Sequence, residues 1–449
     1  ERKIHVLESR LSKNSRNSHK PPASEGLLRP NPKSLRKKTV KKSGGQKGYK
    51  GHTLKMVDNP DHVMVYAVER CDNCGCSLKD ETPCGIEKRQ VFDIPPIKLE
   101  VTEHQAEVKD CPHCEQQTKA PFPEEVKAPV QYGQRLKAIT VYLKAYQLIP
   151  YKRTCELLRD LFDTRLSQGT IENIINNCSG VMEKPLEHIK DHIVNSSVGH
   201  FDETGCRVVG KLNWLHVASN AQLTYFDIHH KRGKEAIDDI DILPRLRGYA
   251  IHDGFKSYFK YGGLHGLCNA HHLRELTYLY EQENQDWAKQ MKGCLTDIKK
   301  RVDEIRSSAN QLDKDEIEEF ETLYQLILEA GCYKNPPPES NSKGKNTRGR
   351  RKKTKARNLL DRLDQQRKET LAFMHDFDVP FDNNQAERDI RTVKIQQKIS
   401  GTFRSTRGAK NFCRIRSYIS TARKNHANSI EAITNALSGN PFLPTIHST

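Results

Sequence analysis

The 449-residue sequence contains no apolar run approaching the ~18 residues that a membrane-spanning helix needs. It also shows no secretory signal pattern, so we expect neither membrane insertion nor export. Acidic residues are comparatively few, because 57 Asp and Glu oppose 74 Lys and Arg, for a net charge of +17. No amphipathic basic anchor stands out, so this excess indicates a nucleic acid partner before a membrane surface.

The signatures of several common enzyme classes are also missing. The sequence has neither a P-loop nor the nucleophile elbow of an α/β-hydrolase, which argues against phosphate-loop NTPases and serine hydrolases. A disulfide framework is not indicated either. The thirteen cysteines are clustered as metal ligands are, and we expect a reducing cytoplasm.

Two CxxC motifs are the strongest local signal. Each motif, Cys71-x2-Cys74 and Cys111-x2-Cys114, can present two thiolates, and together they predict a structural Zn²⁺ site with four sulfur ligands. Four thiolates leave no open position for water, so we do not expect this zinc to be catalytic. The long gap between the motifs is typical of a zinc ribbon.

The segment between these motifs carries further predictions. Short strands are expected at 90–94 and 98–101. Two additional thiols, Cys76 and Cys84, leave open an exchange of ligands with Cys74.

Three other segments have more than one interpretation. Ile4, Leu7 and Leu11 form an apolar helical stripe, which is either the end of a coiled coil or a docked helix end. Residues 20–55 are rich in Pro, Gly, Ser and Lys and predict a flexible arm that contacts phosphates or serves as a solvated linker. Residues 341–357 hold nine Lys and Arg without an acid, as a linker or a DNA clamp would.

Residues 128–195 are predicted to be helical. Two short helices at 153–161 and 167–177, separated by a polar break, are typical of a helix–turn–helix-like pair. In that interpretation the second helix enters a DNA major groove. An ordinary αα-hairpin is the alternative, because Glu172 lies where a phosphate or base contact is needed.

Residues 198–252 are predicted to form a mixed sheet. Strands at 198–203, 207–218 and 222–229 are followed by a short helix and a strand at 248–252, which is the order of a ribonuclease-H-like core. Asp202 then lies within the first strand and Asp253 at the tip of the adjacent central strand. The two carboxylates can therefore meet.

A third carboxylate, Glu387, is predicted on a helix over 385–399, for which Asp382-Asn383-Asn384 suits the N-cap and first turn. Arg391 and Lys394 share a face of that helix with Glu387. By itself this pattern equally fits a surface salt bridge. Together, the three carboxylates suit two divalent ions about 3.5–4 Å apart, the arrangement that drives phosphodiester cleavage. Asp202 would bridge both ions, with Asp253 on one and Glu387 on the other, and Mg²⁺ prefers such oxygen ligands.

Basic and imidazole side chains surround these carboxylates in the sequence. Cys268 and His271 form a C-x2-H pair that is half a metal site, a hydrogen-bonded structural element or a phosphate contact. The stretch 401–408 is interpreted as a phosphate cradle. The predicted DNA contacts are His271, His272, Arg274, Arg388, Arg391, Lys394, Arg404 and Arg407.

Taken together, these motifs resemble the transposases of the insertion sequence 66 family over nearly the whole chain. The motifs that carry the resemblance are Asn14-Ser15-Arg16-Asn17-Ser18, Lys20-Pro21-Pro22, Gly44-Gly45-Gln46-Lys47-Gly48, the four-cysteine ribbon, Asp202-Glu203-Thr204-Gly205-Cys206-Arg207, His252-Asp253-Gly254-Phe255-Lys256-Ser257-Tyr258, Cys268-Asn269-Ala270-His271-His272-Leu273-Arg274-Glu275-Leu276 and Asn383-Asn384-Gln385-Ala386-Glu387-Arg388. The family's N-terminal leucine zipper is nearly absent from this sequence.

The resemblance implies an Asp-Asp-Glu transposase with Asp202, Asp253 and Glu387 as its triad, and it matches Lys394 to a basic residue of the family. It implies Mg²⁺, with Mn²⁺ as a substitute, and double-stranded DNA as transposon ends and as target. Terminal inverted repeats are the expected substrate. A homo-oligomer on DNA and helper proteins of the same element are expected partners, in a bacterial cytoplasm and on the nucleoid when bound. A catalytically retired DNA-binding protein and a general ribonuclease-H-type nuclease remain alternatives.

The expected fold class is a multidomain α+β chain that combines a zinc ribbon, a helical region and a ribonuclease-H-like core with a helical insertion. The expected divisions are a remnant of an N-terminal helix at 1–20, a basic arm at 21–60, the zinc ribbon at 61–127, a helical DNA-binding region at 128–195, the first part of the catalytic core at 196–282, the helical insertion at 283–372 and the second part of the core at 373–449.

Overall fold

The computed structural model describes residues 11–14, 16–18, 54–338 and 353–444. The predicted stripe at Ile4 and Leu7, the arm at 21–53 and the basic run at 341–352 lie outside these residues. The chain divides into two units, Lys33–Glu100 and the remainder, which comprises Glu1–Pro32 and Val101–Thr449. Within the described part of the chain, no helix combines the length and hydrophobicity that crossing a membrane requires.

The described part of the smaller unit, residues 54–100, has no regular strand or helix. The predictions of strands at 90–94 and at 98–101 were both wrong, because these segments are irregular. A strand needs a partner ladder for its backbone groups, and no described segment pairs with either one. The side chain of Gln90 instead bonds the backbone of Val57, accepting from its N–H at 2.8 Å and donating to its carbonyl at 2.7 Å.

The larger unit begins with a short hairpin and continues as helices. Strands β1 (Val108–Asp110) and β2 (Gln117–Lys119) are antiparallel. The helices that follow are α1 (Gln134–Val141, extended by a π-helical turn at Tyr142–Tyr146), α2 (Tyr151–Phe162), α3 (Gln168–Val181) and α4 (Glu183–Val194). The two short helices predicted at 153–161 and 167–177 correspond to α2 and α3, and Ser167 caps α3 by accepting the N–H of Thr170.

A five-stranded mixed sheet lies at the centre of this unit. Its strands stand in the order β5-β4-β3-β6-β7. β3, β4 and β5 form an antiparallel meander, while β6 pairs parallel to β3 and β7 parallel to β6. The strands are β3 (Val198–Val208), β4 (Lys211–Ser219), β5 (Thr224–His229), β6 (Tyr249–His252) and β7 (Leu264–Leu267), with α5 (Lys234–Ile240) between β5 and β6.

The meander differs from its prediction at one turn. β3 runs five residues beyond 203, and β4 begins at Lys211, not at 207. The two strands are joined by Val209 and Gly210, whose φ angles are 50° and 74°. Two successive positive φ angles are typical of two-residue hairpin turns, whose twist fits the right-handed twist of the flanking strands. Glycine adopts a positive φ angle without strain. Strand propensity alone did not reveal this turn.

The remaining helices cover the sheet and extend from it. They are α6 (Asn269–Glu283), α7 (Asp286–Ile305), α8 (Lys314–Lys334), α9 (Lys355–Gln365), α10 (Arg367–His375), α11 (Asn384–Ser400), α12 (Thr406–Lys424) and α13 (Ser429–Leu437). Helices α6 to α10 share a core of their own, which includes the buried Trp287, Tyr324 and Phe373.

Two C-terminal helices position the candidate site. α11 packs Ala386, Ile390 and Val393 against Leu215 and Val217, in a core shared with β3 and β4. α12 covers the free edge of β5, where Ser417 Oγ accepts the N–H of Phe226 at 2.7 Å and Thr421 Oγ1 accepts the N–H of Thr224 at 3.1 Å. These bonds satisfy backbone donors that an edge strand would otherwise leave open.

Candidate functional site

Asp202 lies in the middle of β3, the strand between β4 and β6. Side chains on a strand alternate between faces, and cross-strand partners share a face. Asp202 pairs with Val217, which packs in the core with α11, so the Asp202 carboxylate belongs to the α11 face. Its Oδ1 accepts the backbone N–H of Glu203 at 2.8 Å.

Asp253 follows directly after β6. The parallel register pairs His200 with Ile251, so two residues further along Asp202 is level with Asp253. Asp253 Oδ1 accepts the N–H of Phe255 at 2.9 Å, which closes a turn that passes through Gly254 at φ 87°. That positive φ needs glycine or strains another residue. The tip of β6 therefore presents Asp253 beside the middle of β3.

Glu387 lies in the first turn of α11. Its Oε1 is 3.6 Å from Arg274 Nη2 and 3.9 Å from His271 Nε2, and its Oε2 is 3.8 Å from Arg391 Nη2. Oε1 is buried and accepts no hydrogen bond from the residues that the structure describes. A buried carboxylate oxygen usually has a close partner, so this oxygen retains lone pairs for a ligand.

Asp202 lies in the electric field of Asp253 and Glu387. Burial raises the pKa of Asp202 well above its ordinary value, and the negative charges of Glu203, Asp253 and Glu387 raise it further. The bond from the Glu203 N–H only partly opposes this rise. Clustered carboxylates of this kind are destabilised when ionised unless a cation neutralises them.

The donor set fits a hard divalent cation. Asp202, Asp253 and Glu387 could supply oxygen ligands, which Mg²⁺ and Mn²⁺ prefer. Oε1 of Glu387 accepts no hydrogen bond from the described part of the chain, and Asp202 is repelled by the neighbouring carboxylates; a cation would relieve both features. These observations come from the chain itself and are independent of any bound ion.

The electrostatic arrangement at Asp202 predicts a dependence of stability on pH. A carboxyl whose pKa is raised in the folded state keeps its proton longer than in the unfolded chain. Its contribution to stability therefore declines as pH rises from its unfolded pKa of about 4 toward the raised folded value. In chelator at pH 8, Asp202→Asn should increase the unfolding free energy by at least about 1 kcal/mol, and the gain should shrink at pH 5.

Asp227 provides the control for this prediction. It lies within β5, its pKa is also raised chiefly by burial, and its Oδ1 also accepts the next backbone N–H, at 2.7 Å from Ile228. Added Mg²⁺ should shrink the gain from Asp202→Asn and leave the effect of Asp227→Asn unchanged, as measured by thermal denaturation. An equal response to Mg²⁺ in both variants contradicts a cation at Asp202.

Cys268 and His271 converge on the third carboxylate. Cys268 Sγ, a ring nitrogen of His271 and a carboxylate oxygen of Glu387 lie within 4.8 Å of one another. Burial raises the pKa of Cys268 to about 12, and its Sγ accepts the N–H of Asn383 at 3.1 Å. Metals bind the thiolate form of cysteine, so the neutral, hydrogen-bonded thiol favours the structural interpretation of this pair.

Asn383 links the start of α11, the helix that carries Glu387, to β3, the strand that carries Asp202. Its predicted role was part of a helix N-cap, but its side chain makes no capping bond to α11. Asn383 Nδ2 instead donates to the Phe201 carbonyl at 2.8 Å, and Oδ1 lies 2.8 Å from His200 Nδ1. Asn383 is buried, so these bonds act away from water and hold the start of α11 against β3.

Asn383→Ala should therefore destabilise the protein by about 2–4 kcal/mol. Two side-chain hydrogen bonds are lost, and the buried Phe201 carbonyl and His200 ring are left without these partners. The neighbouring Asn384→Ala is the matched control, since Asn384 is exposed. Its effect should stay within about 0.5 kcal/mol. Chemical denaturation measures both values, and equal values would remove Asn383 from this role.

Glu203 and its partners form a second layer that sequence reasoning missed. Glu203 pairs across the ladder with His216 and faces away from α11, with a side chain that is 2% exposed. Arg232 Nε donates to Glu203 Oε1 at 2.7 Å, and the Tyr258 hydroxyl donates to Oε2. The Arg232 guanidinium stacks 4.2 Å from the ring centre of Phe255.

This layer fixes the backbone next to Asp202. Burial raises the pKa of Glu203, and the bonds from Tyr258 and Arg232 oppose the rise. The sequence contained one indication of this layer. Side chains alternate along a strand, so Glu203 must lie on the face opposite Asp202, where a buried acid requires a partner. The identity of that partner, 29 residues further along the chain, was not predictable.

The predicted DNA contacts occupy different environments. Arg388, Arg391, Arg404 and Arg407 are exposed. Lys394 is exposed, but its Nζ donates to the Gly205 carbonyl of β3 at 2.8 Å.

The three predicted contacts on α6 differ in exposure. His271 and Arg274 are half-buried beside Glu387. His272 is buried, with Nδ1 3.0 Å from Asn269 Oδ1, so its ring does not present itself to a nucleic acid at the surface.

The predicted phosphate cradle at 401–408 is fixed to the sheet. Phe403 donates its N–H to the Arg207 carbonyl at 2.9 Å and accepts the N–H of Val209 at 2.8 Å. Ser405 then caps α12 by accepting the N–H of Gly408 at 2.9 Å. Arg404 and Arg407 are thus exposed on either side of a fixed helix start.

Each CxxC motif forms a tight turn. In the first, the Cys71 carbonyl accepts the N–H of Gly75 at 2.9 Å, and Gly75 has φ 72°. In the second, the Cys111 carbonyl accepts the N–H of Glu115 at 2.8 Å. Hydrogen bonds within the turns lower the pKa of Cys74 and of Cys111 and favour the thiolate form that binds zinc.

Comparison with known families agrees with these features. The sequence profile of the Transposase IS66 family matches residues 129–411, which is more than half of the chain. The chain belongs to this family. The zinc-finger binding domain of transposase IS66 matches residues 69–115, and a family of unknown function (DUF6444) matches residues 1–55. No curated protein shows significant similarity to the chain.

The resemblance stated from the motifs is therefore confirmed. Membership in the Transposase IS66 family makes the chain a transposase, an enzyme class that processes nucleic acid and binds DNA. The zinc-finger match spans all four cysteines of the CxxC motifs and supports Zn²⁺ binding there.

Proposed function

We propose that this transposase cleaves and rejoins DNA at the terminal inverted repeats of an insertion sequence, with Asp202, Asp253 and Glu387 as the metal-binding triad. One observation carries the proposal. Asp202 lies in the electric field of two carboxylates that are 51 and 185 residues away in the sequence, and both raise its pKa. Such a cluster is costly to maintain in a fold without a function that needs it.

The topology of the larger unit supports the same proposal. A three-stranded antiparallel meander followed by two parallel strands, with the meander's first strand central, is the arrangement expected of a ribonuclease-H-like core. It brings the middle of β3 and the tip of β6 together. In that arrangement α7 to α10 form the helical insertion predicted at 283–372, and α6 belongs to the first part of the core.

The roles of the side chains follow from their positions. Asp202, Asp253 and Glu387 would together hold the divalent cations. When bound, these ions would activate a water or 3′-hydroxyl and stabilise the leaving oxygen. Arg274 and Arg391 lie beside Glu387 and would contact the scissile phosphate, while Glu203, through Arg232, positions the strand.

DNA binding would use the exposed cations near this cluster. Arg388, Arg391, Arg404 and Arg407 are available as phosphate contacts, and α2 and α3 are the proposed helix–turn–helix-like pair.

We also propose that the four cysteines of the CxxC motifs hold one zinc ion, and that the protein acts as a homo-oligomer with helper proteins of its element.

The experiment that tests this function uses a duplex carrying the element's own terminal repeat and a duplex in which that repeat is scrambled. With Mg²⁺, the protein should nick the first duplex at the repeat boundary and join it to target DNA. Equal cleavage of both duplexes indicates a general nuclease. Binding without cleavage, even after the element's neighbouring gene products are added, indicates a retired transposase.

A further inference from the structure

A second group of metal-binding side chains lies at the end of β5, on a loop for which the proposed chemistry has no use. His229 is the last residue of β5, and His230 follows it. Glu235 lies in the first turn of α5, and Asp239 lies one turn later on the same helix. The loop thus carries two imidazoles, and the helix that follows carries two carboxylates.

These side chains point at one another. His229 Nε2 is 3.0 Å from Asp239 Oδ2, and His230 Nε2 is 3.1 Å from Glu235 Oε1. The two rings are 4.2 Å apart between centres. Ligand atoms of His229, His230 and Glu235 all lie within 4.8 Å of one another, a separation that one ion could span.

The local backbone explains why both rings reach the same place. Successive side chains on a strand point to opposite faces, but β5 ends at His229 and the chain turns back at Lys231. His229 Nδ1 accepts the backbone N–H of Lys231 at 3.0 Å, and the Lys231 carbonyl oxygen lies 3.4 Å from the same nitrogen. A metal-binding histidine commonly donates its other ring N–H to a backbone carbonyl, so when Nε2 binds an ion the ring proton would move to Nδ1 and face this carbonyl.

We propose that His229, His230 and Glu235 form a transition-metal site, and that Asp239 supports it through its contact with His229. Two imidazoles and one carboxylate suit Zn²⁺ and similar first-row divalent ions. Mg²⁺ prefers six oxygen ligands and does not match this set. The site is distinct from the oxygen-only triad and from the sulfur-only CxxC motifs, and it goes beyond the proposed function.

The position of the loop gives the site a consequence. Its ligands lie on both sides of Arg232 in the sequence. The Arg232 guanidinium is 2.7 Å from the carboxylate of Glu203, the residue that follows Asp202 in β3. An ion that links the end of β5 to α5 would restrict the loop and hold Arg232 in place. The proposed metal thereby positions a residue that supports the catalytic strand without contacting DNA.

Ordinary surface ion pairs are the competing explanation. His375 and Glu321 form such a pair at 3.2 Å, and their side chains, at 41% and 43%, are more exposed than His229 at 14% and less exposed than His230 at 60%. His375→Ala is therefore a matched control that removes one imidazole–carboxylate pair without a second histidine. His230 is 60% exposed, so His230→Ala should leave the fold intact.

The test measures zinc stoichiometry and affinity of the full chain by competition with a chromophoric chelator, in excess Mg²⁺. Wild type and His375→Ala should bind one zinc more per chain than His230→Ala. Glu235→Gln should weaken that zinc at least about tenfold. Identical zinc stoichiometry and affinity in wild type and His230→Ala would overturn the proposal. Zinc held by the CxxC motifs is common to all variants, so its presence or absence does not affect the difference.

A second readout identifies the ligands. Co²⁺ substituted at the proposed site should show visible d–d bands without the thiolate charge-transfer absorption that cysteine ligands produce. Subtracting the spectrum of His230→Ala from that of wild type isolates this signal. A difference spectrum that contains thiolate absorption, or no difference at all, contradicts the assignment.

Discussion

Asp202→Asn should lower metal-dependent DNA cleavage by at least about a thousandfold, because metal stabilisation of the transition state amounts to several kcal/mol and each 1.4 kcal/mol is about tenfold. An amide carries no negative charge, so it would hold a divalent cation far more weakly than a carboxylate does. Its Oδ1 can still accept the Glu203 N–H that the carboxylate accepts at 2.8 Å. The strand should therefore keep its structure, and DNA binding should persist.

Asp227→Asn is the matched control for this prediction. Both aspartates lie within strands of the same sheet, both have raised pKa values, and both accept the N–H of the following residue. Asp227 differs because Asp253 and Glu387 are not among the charges that act on it. Cleavage rates on one DNA end compare the two variants. Similar losses in both would mean that the effect reflects the sheet and not a metal site.

Removing zinc should have the largest effect on structure. None of the described residues from 54 to 137 is buried, so this part of the chain has no hydrophobic core. Val65, Tyr66 and Val91 are among its exposed apolar side chains. A domain without a core depends on metal ligation, and structural zinc supplies about 10–16 kcal/mol of binding free energy in zinc-finger peptides.

Chelation of zinc should therefore make residues 61–122 susceptible to limited proteolysis, whereas the sheet and its helices should remain resistant. Cys71→Ser should reproduce this effect, and Cys294→Ser is the control because Cys294 is buried among α7 residues and belongs to neither CxxC motif. Mg²⁺ binding at Asp202 should survive. Loss of Mg²⁺ binding together with the zinc would contradict two separate sites.

The parts of the structure that the sequence predicted are governed by local patterns. Alternating apolar residues predicted the strands that carry Asp202 and precede Asp253, and a polar start followed by helical spacing predicted α11 at 385–399, close to the observed Asn384–Ser400. Local patterns also indicated the CxxC turns. In each case the signal lay within a few residues of the element that it specified.

The parts that were missed depend on distant partners. The strand predicted at 90–94 has apolar residues but no ladder partner among the described residues. Asn383 looked like a helix cap, yet its side chain bonds β3 about 180 residues away in the sequence. Arg232 reaches Glu203 from a loop, and His229 and His230 meet Glu235 through a turn at Lys231. None of these pairings leaves a periodic signal.

The most direct test of the central claim is cleavage of the element's own DNA end in Mg²⁺ by wild type and Glu387→Gln. Glu183→Gln is the control, because Glu183 is an exposed carboxylate paired with Arg414 at 2.6 Å. Wild type and Glu183→Gln should cut at the repeat boundary, whereas Glu387→Gln should bind the end without cutting it. Cleavage by Glu387→Gln at the wild-type rate would contradict a metal-binding triad of Asp202, Asp253 and Glu387.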